Sequence, residues 1–441
     1  MLEINAPNLY LFSYHLKEGL GINPDSTHRN YHSVLEKIVG DISRLIPGAI
    51  ALEGQETFLA LQSQPTADLK FKGILHNHTI LGRYLRRSLH QTYALIFDGS
   101  VQERYNAHQV QSLLNTLKLL TPNPPSPEHL GQTWLISGVW EHGNSTQIEK
   151  LAEESYKTLI SPEGWHHRGS GDYVGVKLYE FWRTSGGKIG EMIEANSYLL
   201  LVLYPDRETF QAGWGFYEQW QQVLLSRHQI IWADHQSQRL TQQLIDQYQQ
   251  IEAIADYSVR SLHSLKTTMH TLSGLLSGFR TLERHLNSME IQLDYYDKYC
   301  HQLEQDADGL GSTDLSFLNL FSTLIKQSYL PRLQADINAF RLNLERIQHL
   351  TQMIQGLVEI RQADRDRTVK TAVGIVGVGV VTGCIIAVAS FPRPSQINQV
   401  SPVNTGSNLG LPGVFLLSVI CGGIASLVTW VTVIFWQKVR K

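Results

Sequence analysis

Four short stretches carry residue types able to do chemistry. Ser185-Gly186-Gly187-Lys188 has the glycine pair and lysine of a phosphate-cradling loop. Such a loop also needs glycine at position 182 and Ser or Thr after the lysine, where Trp182 and Ile189 stand, so a hairpin turn is the better reading. Trp165-His166-His167-Arg168-Gly169-Ser170-Gly171 places two histidines in a loop-like run, but consecutive side chains of a strand face opposite ways and do not converge on a metal. His76-Asn77-His78 matches a nuclease motif in letters without its context. Arg83, Arg86 and Arg87 form a basic cluster on a predicted helix, able to hold a phosphate or nucleotide, with a solvated face as the simpler reading. No HExxH, GxSxG or spaced Cys/His pair occurs, and the three cysteines are Cys300, Cys384 and Cys421. Catalysis, a resident metal and a cofactor are therefore not expected.

The elements that must position these residues fall into three parts. Residues 1–231 read as a mixed α and β domain. Strand-like runs lie at Leu9–Tyr14, Ala94–Asp98, Thr133–Trp140, Tyr173–Trp182 and Tyr198–Tyr204, with helical patterns at Tyr31–Leu45, Gln109–Leu120 and Ile148–Leu159. Thr121–Gly131 is a proline-rich loop, and Arg207–Leu240 is amphipathic and aromatic-rich.

Residues 232–370 keep helical apolar spacing almost throughout, which predicts a coiled-coil stalk or long helical bundle. Leu272, Leu276, Phe279, Leu282, Leu286, Met289, Leu293, Tyr296, Cys300 and Leu303 mark the seam. Asp306–Asp314, with Gly309 and Gly311, is a predicted break, and Pro331 a kink or fresh start. Leu333, Ile337, Phe340, Leu344, Ile347, Leu350, Ile354 and Leu357 continue the pattern.

Two uncharged runs follow, Thr371–Phe391 and Val414–Trp436, each long enough for a membrane-spanning helix. Arg361, Arg365, Arg367 and Lys370 precede the first, and Lys438, Arg440 and Lys441 lie in the tail 437–441; the connecting loop 392–413 holds only Arg393. The positive-inside rule predicts a multi-pass protein of the inner (plasma) membrane with both termini cytoplasmic and the loop outside. Gly379 and Gly383 in the first run, and Ser418, Gly422 and Ser426 in the second, are small residues four apart, the spacing that packs helices in lipid. The expected fold class is thus an α+β cytoplasmic domain, a helical coiled-coil stalk and a two-helix transmembrane hairpin. The N-terminus lacks a secretory pattern, and a net charge of −3 gives no whole-chain attraction for nucleic acid.

This layout resembles the CorA-type two-span magnesium transporters, which join a cytoplasmic α/β domain to long stalk helices, a first span continuous with the stalk, a second span and a basic tail. The resemblance implies a homo-oligomer, five copies in that family, around a pore lined by the first span. Thr371, Val378 and Thr382 share a helical stripe and would line such a pore, with Ser390 at its outer end. Where the family carries Gly-Met-Asn this chain has Ser390-Phe391-Pro392-Arg393-Pro394, and a cation there opposes divalent ions, so the motif gives no support for magnesium and the ion is unknown. The alternative is a membrane-anchored oligomeric sensor or scaffold whose cytoplasmic domain binds a ligand or partner and has no pore. The expected partners are the lipid bilayer, further copies of the chain, and a metal ion or an unidentified cytoplasmic ligand.

Overall fold

The structure is a computed structural model that describes residues 3–16, 40, 44–45, 50–51, 67–75, 78–89, 92–101, 104–121, 129–141, 145–160, 166–184, 193–257 and 262–362. The chain divides into two compact units, Met1–Gln249 with Thr271–Leu342, and Gln250–His270 with Asn343–Lys441.

The first unit is built on one ten-stranded sheet: β1 (Glu3–Leu16), β2 (Ile50–Ala51), β3 (Ala67–Leu75), β4 (His78–Leu89), β5 (Thr92–Val101), β6 (Arg104–Asn106), β7 (His129–Glu141), β8 (His166–Tyr173), β9 (Val176–Thr184) and β10 (Ile193–Tyr204). The order is β2-β3-β4-β5-β1-β7-β10-β9-β8, with β6 paired to one end of β1. Neighbours run antiparallel except β7 and β10, which are parallel. Central strands are apolar on both sides, as at Leu199–Leu203, because helices cover both faces of the sheet.

Helices α1 (Ala107–Lys118) and α2 (Ser145–Leu159) close the first face. Their Leu113, Leu117, Leu151 and Tyr156 join Leu9, Leu11, Phe97, Ile136 and Phe181 in the main apolar core. A capping box starts α1: Gln109 N–H donates to Asn106 Oδ1 at 3.0 Å, and Asn106 N–H to Gln109 Oε1 at 2.9 Å.

The second face is covered by α3 (Arg207–Trp214), α4 (Tyr217–Tyr257), α5 (Leu262–Asp308) and α6 (Asn319–Leu324), with α7 (Leu330–Gln362) following. A π-helical turn at Ile325–Tyr329 leads into α7. Pro331 lacks the N–H that a regular helix needs and its ring crowds the preceding turn, which accounts for the wide turn just before it. The predicted break is real: α5 ends at Asp308, and the backbones of Asp172 and Asp314 bond to each other at 3.0 and 2.7 Å. There the β8–β9 turn has positive φ at both Val174 (52°) and Gly175 (78°), a conformation branched residues avoid. Thr313 Oγ1 accepts from Val174 N–H at 3.0 Å, and Ser312 O from Gly175 N–H at 2.8 Å, which fixes the turn.

In the second unit, α4 continues to Tyr257, α5 begins at Leu262 and α7 reaches Gln362, with Ile251, Leu344 and Ile347 buried.

Three expectations are corrected. Over the described residues the fold is a sheet-rich unit with helices packed on it, in place of a mixed domain with a separate coiled-coil stalk. The seam residues Leu282, Met289, Leu293, Tyr296 and Leu303 are buried within their own chain; Tyr296, for instance, donates to Leu318 O at 3.2 Å. Among the described residues no helix is long and apolar enough to cross a membrane, because α4, α5 and α7 carry a charged outer face, such as Arg341, Glu345 and Arg346 on α7. For the described residues that finding corrects the transmembrane-helix expectation and, with it, the multi-pass inner-membrane assignment with both termini cytoplasmic. The two uncharged runs themselves lie outside the described residues. Arg83, Arg86 and Arg87 lie on strand β4, not a helix: Arg83 and Arg87 share one face, and Arg86 turns to the other, buried beside the Tyr93 ring.

Candidate functional site

On the second face of the sheet, β9 and β10 present a polar centre in an otherwise apolar layer. Glu180 on β9 is buried, and Tyr198 on β10 donates its hydroxyl to Glu180 Oε1 at 2.8 Å. Their strands are antiparallel with Tyr198 opposite Trp182, so Tyr198 and Glu180 are diagonal neighbours on one face. Burial pushes the Glu180 carboxyl up to about 7, against the lowering pull of Arg227, the Tyr198 hydrogen bond and Arg168.

Arg227 descends onto this centre from α4 and is fully buried. Its guanidinium carbon lies 3.8 Å from the centre of the Tyr198 ring, 4.7 Å from Phe321 on α6 and 5.1 Å from Trp182 on β9. Phe321 is held in turn by Tyr296 of α5, ring centres 4.9 Å apart. Among the described residues none of the three Arg227 nitrogens has a hydrogen-bond partner.

A second arginine reaches the same indole. The β8–β9 register shifts between His167 and Gly169, leaving Arg168 in a bulge. His167 therefore packs on the first face, 5.2 Å from Phe181 and with Nδ1 3.5 Å from Glu149, whereas Arg168 turns to the second face with its guanidinium carbon 5.7 Å from the Trp182 ring. Desolvation pulls the Arg168 guanidinium below its ordinary value, partly countered by Glu180. Its Nε and Nη2 atoms, and Trp182 Nε1, are also buried without partners among the described residues.

Neighbouring polar groups are neutral. His228, next on α4, meets Thr133 Oγ1 at 2.7 Å, and burial, with Arg227 and His129 adding, holds its imidazole well below its ordinary value. On the first face Ser13 Oγ lies between His15 Nε2 (3.0 Å) and His129 Nε2 (3.2 Å), and burial lowers His129 to about 4. Burial raises the Cys300 thiol, which stays protonated.

An aromatic cleft adjoins the centre between the sheet and α3–α4, lined by Tyr10, Phe12, Tyr204, Trp214, Tyr217 and Trp220 among others. Its enclosed space is about 20 Å³, room for one water rather than an organic ligand. Tyr10 stacks on Trp214 at 4.3 Å, so the cleft joins α3 to the sheet.

The residues singled out in the sequence are mostly elsewhere. The pore-lining set Thr371, Val378, Thr382 and Ser390, the helix-packing set Gly379, Gly383, Ser418, Gly422 and Ser426, and Ser185–Lys188 lie outside the described residues. Of His76–His78 only His78 is described, and its Nδ1 meets the Tyr105 hydroxyl at 2.8 Å. Among the described residues no group of His, Cys, Asp and Glu is placed to hold a metal. Glu180, Arg227, Tyr198 and Trp182 were not singled out by sequence reasoning; the available signal was a carboxylate at an inward position of an apolar strand and a cation in an apolar stretch of helix. No family model, curated protein or solved structure matches this chain.

Proposed function

We propose that this chain is a non-catalytic sensor or scaffold, in which a ligand-responsive polar centre in the sheet is read out by the helices that leave it. The observation that carries this reading is the double duty of α4. The helix that buries Arg227 and His228 against the sheet is the one that continues into the second unit, to Tyr257. A change in how Arg227 is held therefore acts on a helix whose C-terminal residues belong to the second unit.

The chemistry of the centre supports binding over catalysis. Glu180 is the one carboxylate there, its hydroxyl partner Tyr198 is kept protonated by burial, and the aromatic rings of Trp182, Tyr198 and Phe321 pack around the cation. The outer face of α5 supports a role in assembly: Ile291 and Tyr295 are 42% and 45% exposed, and Tyr295 stacks on Tyr299 at 6.1 Å.

Hydrogen exchange of the full chain tests the reading. Tyr198→Phe removes only the hydroxyl held by Glu180. Its effect on amide protection is expected to extend along α4 past Gln249 as well as through β9 and β10. A change confined to the sheet overturns the proposal.

A further inference from the structure

Donors and acceptors do not balance around Trp182. Six buried nitrogen atoms lack partners among the described residues: Nε, Nη1 and Nη2 of Arg227, Nε and Nη2 of Arg168, and Nε1 of Trp182. All are hydrogen-bond donors, since neither guanidinium nor indole nitrogen accepts. The one carboxylate in the cluster, Glu180, already accepts from Tyr198. Two guanidinium groups against one partly protonated carboxyl leave an excess of positive charge in a buried place. An unsatisfied buried donor is destabilising, the more so when charged, so this arrangement favours an acceptor-only guest.

We propose that Arg227, Arg168 and Trp182 form a binding site for a small oxyanion, a phosphate or carboxylate group, with Arg168 at its solvent side and Arg227 at its floor. The planar guanidinium of Arg227 is stacked among the rings of Tyr198 and Phe321, which pre-orients its N–H fork for bidentate contact with two oxygens. Arg168 is half-buried and sits in the β8 bulge, which turns its guanidinium toward the Trp182 ring. A lysine in place of either arginine offers a point charge without the fork. The proposal rests on the sensor reading and names the chemistry of its ligand.

The test is titration calorimetry of the full chain with inorganic phosphate, and separately with acetate, against chloride at matched ionic strength. Saturable binding of at least one of the two is expected, weakened roughly tenfold or more by Arg168→Gln, as expected for the loss of charged hydrogen bonds. Whichever probe binds identifies the preferred oxyanion. Arg227→Met, which keeps the volume and removes the charge, is expected to abolish binding; should that variant fail to fold, Arg168→Gln decides. No heat beyond the chloride control, or equal binding by wild type and Arg168→Gln, overturns the site. That failure leaves the sensor reading standing if Tyr198→Phe still alters exchange along α4, so the two ideas fall separately.

Discussion

The guanidinium of Arg227 lies 3.8 Å from the centre of the Tyr198 ring, and the hydroxyl of that same ring donates to Glu180 at 2.8 Å. Cation, aromatic ring and carboxyl thus meet through one tyrosine, with no direct hydrogen bond from the arginine among the described residues. Stacking on aromatic faces stabilises a desolvated guanidinium by about 2 kcal/mol, which offsets only part of the cost of burying it.

Arg227→Ala is expected to destabilise the fold by about 2–4 kcal/mol, because it deletes both the buried stem and the ring contacts. Arg227→Met keeps the volume and is expected to recover most of that loss. Urea unfolding followed by circular dichroism distinguishes them. Equal loss in both variants would mean that the charge, rather than the packing, holds α4 to the sheet.

Glu180 gives a pH signature of defined sign. Its carboxyl is raised from 4.5 to about 7 in the fold, so the folded chain holds that proton more tightly than the unfolded chain. The stability this contributes is complete below about pH 4.5 and is lost as pH rises through 7. The stability of wild type minus that of Glu180→Gln should therefore fall across this window, by at most roughly 3 kcal/mol. His129 and His285, lowered by burial from 6.5 to about 4, act oppositely: their contribution is present above pH 6.5 and lost as pH falls through 4. Both proteins carry these histidines, so they cancel in the difference. A flat difference curve contradicts the assignment.

Asp234 on α4 and Arg332 on α7 form a second test. The Asp234 side chain is 1% exposed, ion-paired to Arg332, and accepts from Gln238 Nε2 at 2.8 Å. Burial raises its carboxyl, with Arg332 pulling the other way. Arg332→Ala strands a buried carboxylate and should cost about 3 kcal/mol, whereas Asp234→Ala combined with it should cost far less than the sum of the singles. A double-mutant cycle by chemical denaturation reads the coupling, and additive losses would refute it.

The join between the β8–β9 turn and residues 309–318 depends on missing side chains. A Cβ on Gly171 would overlap Asp314 O and approach the Phe317 ring at 2.7 Å, and one on Gly169 would meet Phe317 Cβ at 2.8 Å. Gly171→Ala is expected to cost about 1–3 kcal/mol and to speed proteolysis between Asp308 and Leu315. Thr313→Val, which removes the acceptor for Val174 N–H, should act in the same direction with a smaller effect. Unchanged cleavage in both would show that the segment is held elsewhere.

Much of this fold was legible where one period dominates. The runs that became β1, β5, β7 and β10, and the helices α1 and α2, were marked by apolar residues of one clear spacing. Strand β4 was misread because Arg83 and Arg87, four apart, share a face in a helix and equally in a strand. Tyr173–Trp182 looked like one strand because Val174-Gly175 lacks the Asn-Gly or Asp-Gly signature of a two-residue turn. The α5 seam was correctly placed on one side of the helix, but periodicity reports which side is buried and not what buries it. The polar centre was illegible for a related reason: Arg168, Glu180, Tyr198 and Arg227 have no characteristic spacing, and only the bulge at Arg168 and the β9–β10 register bring them together.

The parallel pairing of β7 and β10 also sets an order of events at the ribosome. Antiparallel neighbours such as β4 and β5 can zip as they emerge, but β7 must wait for everything through Tyr204 before gaining its second neighbour. Phe321, from far later in the chain, is what closes over Arg227. A nascent chain stalled before that residue lacks the ring that covers its buried cation, so the charge completes its loss of hydration only after the helices beyond α4 have been made.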